Sequence, residues 1–265
     1  QLNGAEQVEE PPPVIRAHFP GGLVKWRIQI CLLVLILLLS ACAAPRQAFN
    51  KDLARDLRTV AVTDHAKDEY FWVSIVNHPL GIPNLIGALS ATADLWAKSA
   101  KVPTALDPKQ TRVQNRLSKR LAEGLNICGY DAEVITFDEP ARLDDALKLA
   151  SQRSKADAVI AVRVDVSYVA TSWYSDYIPR VHVRVKAFDA KGGKVLYEDA
   201  ISYGYQGDAY DKHVKAVHLT SDAKYRFSSV DDIVNNAELA REGLLAGADA
   251  IAAQIAADLE PKGSE

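Results

Sequence analysis

The residue types that could bind a metal or act as acid and base are dispersed along the chain. His213 and His218, with Asp208 and Asp211 beside them, are types that coordinate divalent metals. A spacing of five places the histidines off a common helix face, and no cysteine or histidine cluster supports them. We interpret residues 206–227 as a solvated polar loop and predict no metal site.

Two pairs of adjacent aspartates do not indicate a catalytic site either. Asp144-Asp145 and Asp231-Asp232 each fall in the first turn of a predicted helix, where the helix dipole favours negative charge. The sequence has no P-loop, Gly-x-Ser-x-Gly elbow or His-Glu-x-x-His motif. We therefore predict no enzyme activity and no cofactor. An unrecognised hydrolase stays an alternative, which needs His and Asp side chains to converge in one cleft.

Cys42 follows an ordered pattern of residue types. Lys25 and Arg27 precede an apolar run from residue 30 to residue 39. This run is shorter than the roughly 18 residues that span a bilayer, and it fits the apolar region of a secretion signal. Leu39-Ser40-Ala41-Cys42 then resembles the lipobox of secreted bacterial lipoproteins. The alternative is a buried strand that ends in a cysteine by chance.

The lipobox resemblance implies a lipid anchor at Cys42. In that family the signal is cut before the cysteine, the thiol receives a diacylglycerol, and the new amino group receives a third acyl chain. Each buried methylene contributes about 0.8 kcal/mol of membrane affinity, so three chains make a near-permanent anchor. An aspartate after the cysteine commonly retains family members in the inner membrane. Ala43 at that position implies the outer membrane, with the protein on its periplasmic face.

The chain contains no methionine, and residues 9–13 (Glu-Glu-Pro-Pro-Pro) are atypical of a signal. We therefore expect translation to begin at Val24. The predicted organisation is an upstream extension (1–23), a signal peptide (24–41), a lipidated tether (42–57), and a single α/β periplasmic domain (58–260) with an insertion at 64–107.

Composition and charge narrow the classes of partner. The chain is 48% hydrophobic and 25% charged, which is ordinary globular composition. Its formal net charge of −3 argues against a general nucleic-acid binder. A basic face on one predicted helix, Arg112 to Arg120, is interpreted as solvated. Cys128 closes the apolar face of the same helix and is expected to be a small buried residue.

The periodicity of apolar residues predicts the elements that position these groups. Strands are expected near 58–63, 130–137, 158–168, 181–187 and 195–205, and helices near 84–100, 107–129, 138–153 and 228–259. Asp107-Pro108 is a typical helix start, and Gly129 a typical stop. Gly243 and Gly247 are expected to allow close packing of the last helix on the sheet. We predict an α/β fold with a mixed sheet of about five strands and helices packed on one face.

Aromatic residues are the candidate contacts for a protein partner, because exposed aromatic side chains often anchor interfaces. The candidates on and around the later strands are Trp173, Tyr174, Tyr177, Tyr203 and Tyr205, and those in the insertion are Phe71 and Trp72. The insertion is expected to contact a neighbouring subunit or lipid. The equally supported alternative for the later group is that the rings cover the sheet's second face.

Four short phrases extend the resemblance beyond the lipobox. They are Arg58-Thr-Val-Ala-Val, Gly129-Tyr-Asp-Ala-Glu-Val, Ala156-Asp-Ala-Val-Ile-Ala-Val-Arg-Val and Ala187-Phe-Asp-Ala-Lys-Gly-Gly-Lys-Val. With the order of elements, they resemble the curli-secretion lipoprotein, the lipoprotein activator of penicillin-binding proteins and the TolB amino-terminal domain. The resemblance covers residues 58–63 and 109–259, and the insertion departs from it.

This resemblance implies a membrane-anchored, non-catalytic accessory factor for envelope assembly, secretion or enzyme activation. Its expected partners are envelope proteins or further copies of itself, and not nucleic acid. A periplasmic lipoprotein that binds lipid or glycan is the alternative.

Overall fold

The computed structural model describes residues 46–67, 69–76, 95–138, 142–207 and 216–261. The expected extension, signal peptide and lipidated Cys42 lie outside these residues, as do His213, Asp208 and Asp211. The helix predicted near 84–100 is described only from residue 95, and residues 95–99 are helical.

Seven strands and five helices have defined bounds in the described part. The strands are β1 (Thr59–His65), β2 (Trp72–Ile75), β3 (Asp131–Phe137), β4 (Ala158–Ala170), β5 (Ile178–Asp189), β6 (Val195–Gly204) and β7 (Val217–Leu219). The helices are α1 (Val102–Leu106), α2 (Val113–Ile127), α3 (Leu143–Arg153), α4 (Val230–Asn235) and α5 (Ala237–Asp258).

The strands form one mixed sheet in the order β3-β1-β4-β5-β6-β7. β1 is parallel to β3 and β4, and β4, β5 and β6 form an antiparallel meander. This confirms the predicted α/β class and mixed sheet. The expected number of about five strands was too small, because β2 and β7 have four and three residues, too few to show a period.

The main core lies between one face of the sheet and helices α2 and α5. Val113, Leu117, Leu121 and Leu125 are all buried there, as their four-residue spacing predicts. The two helices are also joined at the surface, where the Arg116 guanidinium donates to both carboxylate oxygens of Asp249 at 2.7 and 2.8 Å.

Helix α3 covers part of the opposite face, which corrects the prediction of helices on one face only. Successive strand residues point to opposite sides of a sheet. Ala61, Val159 and Ala161 therefore point away from the main core, and they form a second cluster with Leu147 and Ala150 of α3. Small side chains on these strands leave space for that helix to approach.

Two helix boundaries differ from the prediction. The helix expected from Asp107 begins at Val113, because Asp107 instead ends α1 in a left-handed conformation with φ of 45°. The long last helix is divided at Asn236 into α4 and α5. Gly129, with φ of 91°, follows α2 as expected.

The tether residues that are described pack against the domain. Gln47 forms an antiparallel bridge with Glu198 of β6, and the Arg46 guanidinium donates to Asp199 at 3.0 Å. Together with β7, these residues cover the outer edge of β6, which would otherwise present unpaired backbone groups.

Candidate contact surface and the neighbouring crevice

Four of the seven predicted contact aromatics are core residues. Phe71, Tyr177, Tyr203 and Tyr205 are exposed by only 1 to 6%, so the expectation that they present a surface is wrong. Tyr203 lies on the helix-facing side of β6, where its ring is close to Gly247 of α5. The alternative for this ring, that it covers the second face, also fails, because it belongs to the main core.

The other three aromatics are reachable to different degrees. Tyr174, in the turn between β4 and β5, is 99% exposed. Trp72 and Trp173 are half-buried. Trp173 packs against the main core, so Tyr174 is the one fully exposed ring of this turn.

Tyr70 and Trp96, which no motif singled out, are also exposed aromatic residues, at 76% and 74%. Both rings line an apolar cavity of about 520 Å³, which we call the β2 groove. Its other apolar lining residues are Phe71, Trp72, Val73, Ile75, Leu95 and Ala100. The insertion therefore has an exposed aromatic surface, but its exposed residues are Tyr70 and Trp96 and not the predicted Phe71 and Trp72.

The position of the β2 groove follows from the pairing of β2. This strand pairs in parallel with the C-terminal part of β4, from Trp72 opposite Ser167 to Ile75 opposite Ala170. Phe71 and Ile75 are buried and fix the strand. Tyr70, one residue earlier, is thereby held at the surface. Leu95 packs against the main core, whereas Trp96, the next residue of the same helix, is exposed.

A second cavity lies where the edge of β4 is left open. β1 pairs with β4 at Ala158 to Ile160, and β2 pairs with it from Ser167 onwards. Between these two contacts the chain leaves the sheet, and a cavity of about 440 Å³ forms beside residues 162–166. We call this cavity the β4 crevice. No sequence motif predicts the β4 crevice, because it arises from a gap between β1 and β2, which pair with the same edge of β4.

Two carboxylates support the inner wall of the β4 crevice, the half-buried Glu69 of the β1–β2 connection and the buried Asp64 of β1. Glu69 accepts hydrogen bonds from the backbone N–H groups of Val113, at 3.0 Å, and Gln114. It therefore caps the N-terminus of α2, which has no cap of its own. Burial raises the pKa of Glu69 from 4.5 to about 7, although the two backbone hydrogen bonds lower it.

Asp64 is the second carboxylate of this wall, and it is buried. It accepts a hydrogen bond from the Asn115 amide at 2.6 Å and lies 3.7 Å from the Arg112 guanidinium. Its other oxygen is buried, with no hydrogen-bond partner in the described part of the chain. The inner wall is thus acidic and polar, in contrast to the apolar β2 groove.

A row of polar side chains crosses the second face of the sheet. Asp165, His182 and Ser202 are cross-strand neighbours on β4, β5 and β6, and His182 Nδ1 lies 2.7 Å from the Ser202 hydroxyl. Aspartate, histidine and serine are also the residue types of the catalytic triad in many hydrolases. Here the Ser202 side chain is buried, with 1% exposure, so its hydroxyl does not face solvent.

Within the described residues, no three His, Cys, Asp or Glu side chains are grouped so that they could hold a metal ion. The same residues include no helix that is both long and apolar enough to cross a bilayer. Cys128 is half-buried beside α5, and its Sγ lies 3.8 Å from the Ala256 carbonyl oxygen. Burial raises the pKa of this thiol.

No protein-family model matches the chain, and no curated protein does. Among solved structures, the chain is similar to the PelC dodecamer from Paraburkholderia phytofirmans, with 16% identity over 83% of this chain and 95% of that one, at a TM-score of 0.31. Lipoprotein GNA1162 from Neisseria meningitidis is 15% identical over 56% and 83%, at 0.22.

A minor lipoprotein from Acinetobacter baumannii is 16% identical over 56% of this chain and 89% of that one, at a TM-score of 0.26. At these identities and scores, the matches define no family for this chain.

Proposed function

We propose that the chain is a lipid-anchored envelope lipoprotein of the outer membrane's periplasmic face. It acts as a non-catalytic accessory factor in assembly, secretion or activation, and the β2 groove is its protein contact surface. The observation that carries the proposal is the pair of exposed rings, Tyr70 and Trp96, on an apolar groove. Exposed aromatic rings beside an apolar cavity are typical centres of protein interfaces.

The anchor and the domain are joined by a short stretch of chain. The Arg46 guanidinium donates to Asp199 of β6, and Arg46 lies four positions after Cys42. Since an extended chain spans at most about 3.6 Å per residue, the acylated cysteine stays within roughly 14 Å of this contact. The proposed partner must therefore be reachable close to the membrane.

Site-specific photocrosslinking tests the proposed contact surface. The full chain is produced with a benzophenone amino acid at Tyr70 or Trp96, and the same residue is placed at Ile127 as a control. Ile127 is 89% exposed but does not line the groove. We expect discrete protein adducts from the two groove positions, none from Ile127, and their loss in Cys42→Ala. Equal adducts at all three positions would contradict the proposal.

The same experiment separates the lipid-binding alternative. The groove volume of about 520 Å³ lies in the range of small-molecule sites, which favours that alternative as a second candidate. If the groove positions label lipid and no protein, the β2 groove is a ligand site and the contact function is wrong.

A further inference from the structure

An unusual pair of arginines begins at the β4 crevice, which Arg163 lines, and continues onto the neighbouring strand. Arg163 on β4 and Arg184 on β5 lie directly opposite each other in the antiparallel register, on the second face of the sheet. Residues in this relation have Cβ atoms about 5 Å apart, and like charges placed so are destabilising. Such a pair is therefore expected to have a partner of negative charge that offsets the repulsion.

The protein supplies no such partner within the described residues. Neither guanidinium forms an ion pair or a hydrogen bond with any of these residues. Lys186, two residues along β5, shows how this face neutralises a cation, because its ammonium group lies 2.9 Å from Asp144 and 3.6 Å from Glu198.

The arginine pair is next to available space and further positive charge. Arg163 is exposed and lines the β4 crevice of about 440 Å³, together with Arg142 and Lys67. Arg142 is also exposed and unpaired within the described residues. Three carboxylates that line the same crevice oppose this positive charge. Asp64 and Glu69 lie on the inner wall, where Asn115 and the backbone of α2 donate to them, and Asp165 forms no ion pair with either arginine.

We propose that Arg163 and Arg184, with Arg142 at the rim, form a binding site for a phosphate group in the β4 crevice. A guanidinium presents a planar fork of donors that matches phosphate oxygens, and a phosphate has enough oxygens to accept from two forks at once. The bound group offsets the repulsion between the two arginines. It lies on the Arg142 side of Arg163, away from the Asp165 carboxylate.

Calorimetric titration of the full chain, purified in detergent, with inorganic phosphate tests this site. We expect saturable binding that weakens at least tenfold in Arg163→Gln and in Arg184→Gln. Asp165→Asn removes the repelling carboxylate, so it is expected to tighten binding severalfold. Arg55→Gln is the matched control, because Arg55 is an exposed cation on the tether, and its binding should equal that of the wild type.

Several results would overturn the site. These are the absence of saturable binding, an equal loss in Arg55→Gln, or weaker binding in Asp165→Asn. Without phosphate, the two arginine variants should unfold at a temperature no lower than that of the wild type, because the repulsion between the guanidinium groups is removed; such a result shows that a loss of binding is not due to misfolding. A parallel titration with sn-glycerol 3-phosphate identifies the source of the group: at least tenfold tighter binding indicates a phospholipid headgroup, and equal binding indicates free phosphate. Both results support the site.

Discussion

Glu69 shows how one side chain can replace a local helix cap. The N-terminus of α2 has no capping side chain from its own first turn, and Glu69 reaches it from a connection more than forty positions earlier. The local sequence predicts that the helix begins at Asp107-Pro108, which is several residues too early. A cap that comes from a distant residue leaves no local pattern.

The first prediction concerns Glu69→Gln. The pKa of Glu69 is about 7 in the folded protein and 4.5 without the fold. An acid with a raised pKa binds its proton more tightly in the folded state. The protonated Glu69 therefore makes its whole contribution to stability below pH 4.5, and this contribution is lost as the pH rises to about 7. The glutamine variant lacks this loss. Its free energy of unfolding relative to wild type should rise by up to roughly 3 kcal/mol between pH 4.5 and pH 8.

Denaturant unfolding at several pH values measures this difference. Glu123→Gln is the control, because Glu123 is an exposed glutamate on α2, the helix that Glu69 caps. Its free energy of unfolding should differ from that of the wild type by the same amount at every pH. A pH-independent difference for Glu69→Gln would mean that Glu69 is not protonated near neutral pH.

The second prediction concerns Asp157→Asn. Asp157 accepts from the backbone N–H groups of Arg58 and Thr59 and from the Lys191 ammonium group. The Lys191 hydrogen bond lowers its pKa most, followed by the backbone bonds. A depressed pKa stabilises the fold above 3.8, the unfolded value, and this contribution is lost as the pH falls below it.

Asp157→Asn should therefore lower the free energy of unfolding at pH 7 by about 2 kcal/mol. The difference from wild type should shrink as the pH falls below 3.8. Asp138→Asn, at an exposed aspartate after β3, is the control and should change little. Equal unfolding of the Asp157 and Asp138 variants at pH 7 would show that Asp157 does not hold the start of β1.

At the scale of elements, the spacing of apolar residues was sufficient to predict α2, α5, β4 and β5. Apolar residues recur every three or four positions in these helices and at alternate positions in these strands. Leu117 and Ile251 are fully buried, as their spacing requires. Elements of three or four residues were missed, because neither period can develop over that length. Burial of Tyr203 was missed for another reason, since a tyrosine suits either a core or an interface.

Glycines in α5 provide the third prediction. A Cβ at Gly247 would lie 2.7 Å from Tyr203 Cδ1 and 2.7 Å from Val181 Cγ2. Helix propensity alone predicts that Gly→Ala stabilises by about 1 kcal/mol. Overpacking against the sheet should reverse the sign, so that Gly247→Ala destabilises by roughly 1–3 kcal/mol. Thermal unfolding decides between the two, and a raised midpoint would show that α5 has room to move away from β6.

At the scale of the whole molecule, the order of the main elements was predictable and the surface was not. The sequence of β1, α2, β3, α3, β4, β5 and β6 agrees with the prediction. The β2 groove and the β4 crevice both depend on β1 and β2 sharing one edge of β4. Strand partners of this kind are decided by long-range packing, which a local period does not encode.

The proposed function depends on a lipid anchor at Cys42, which would hold the domain at the membrane where it would meet a partner. The central claim is that the mature chain begins at an acylated Cys42. Mass spectrometry of the N-terminal peptide, from protein extracted from its own membranes, tests this directly. We predict a peptide that begins at Cys42 and carries a diacylglycerol and an amide-linked acyl chain, and that is absent in Cys42→Ala. A mature chain that begins elsewhere, or a Cys42 with a free thiol, would contradict the account.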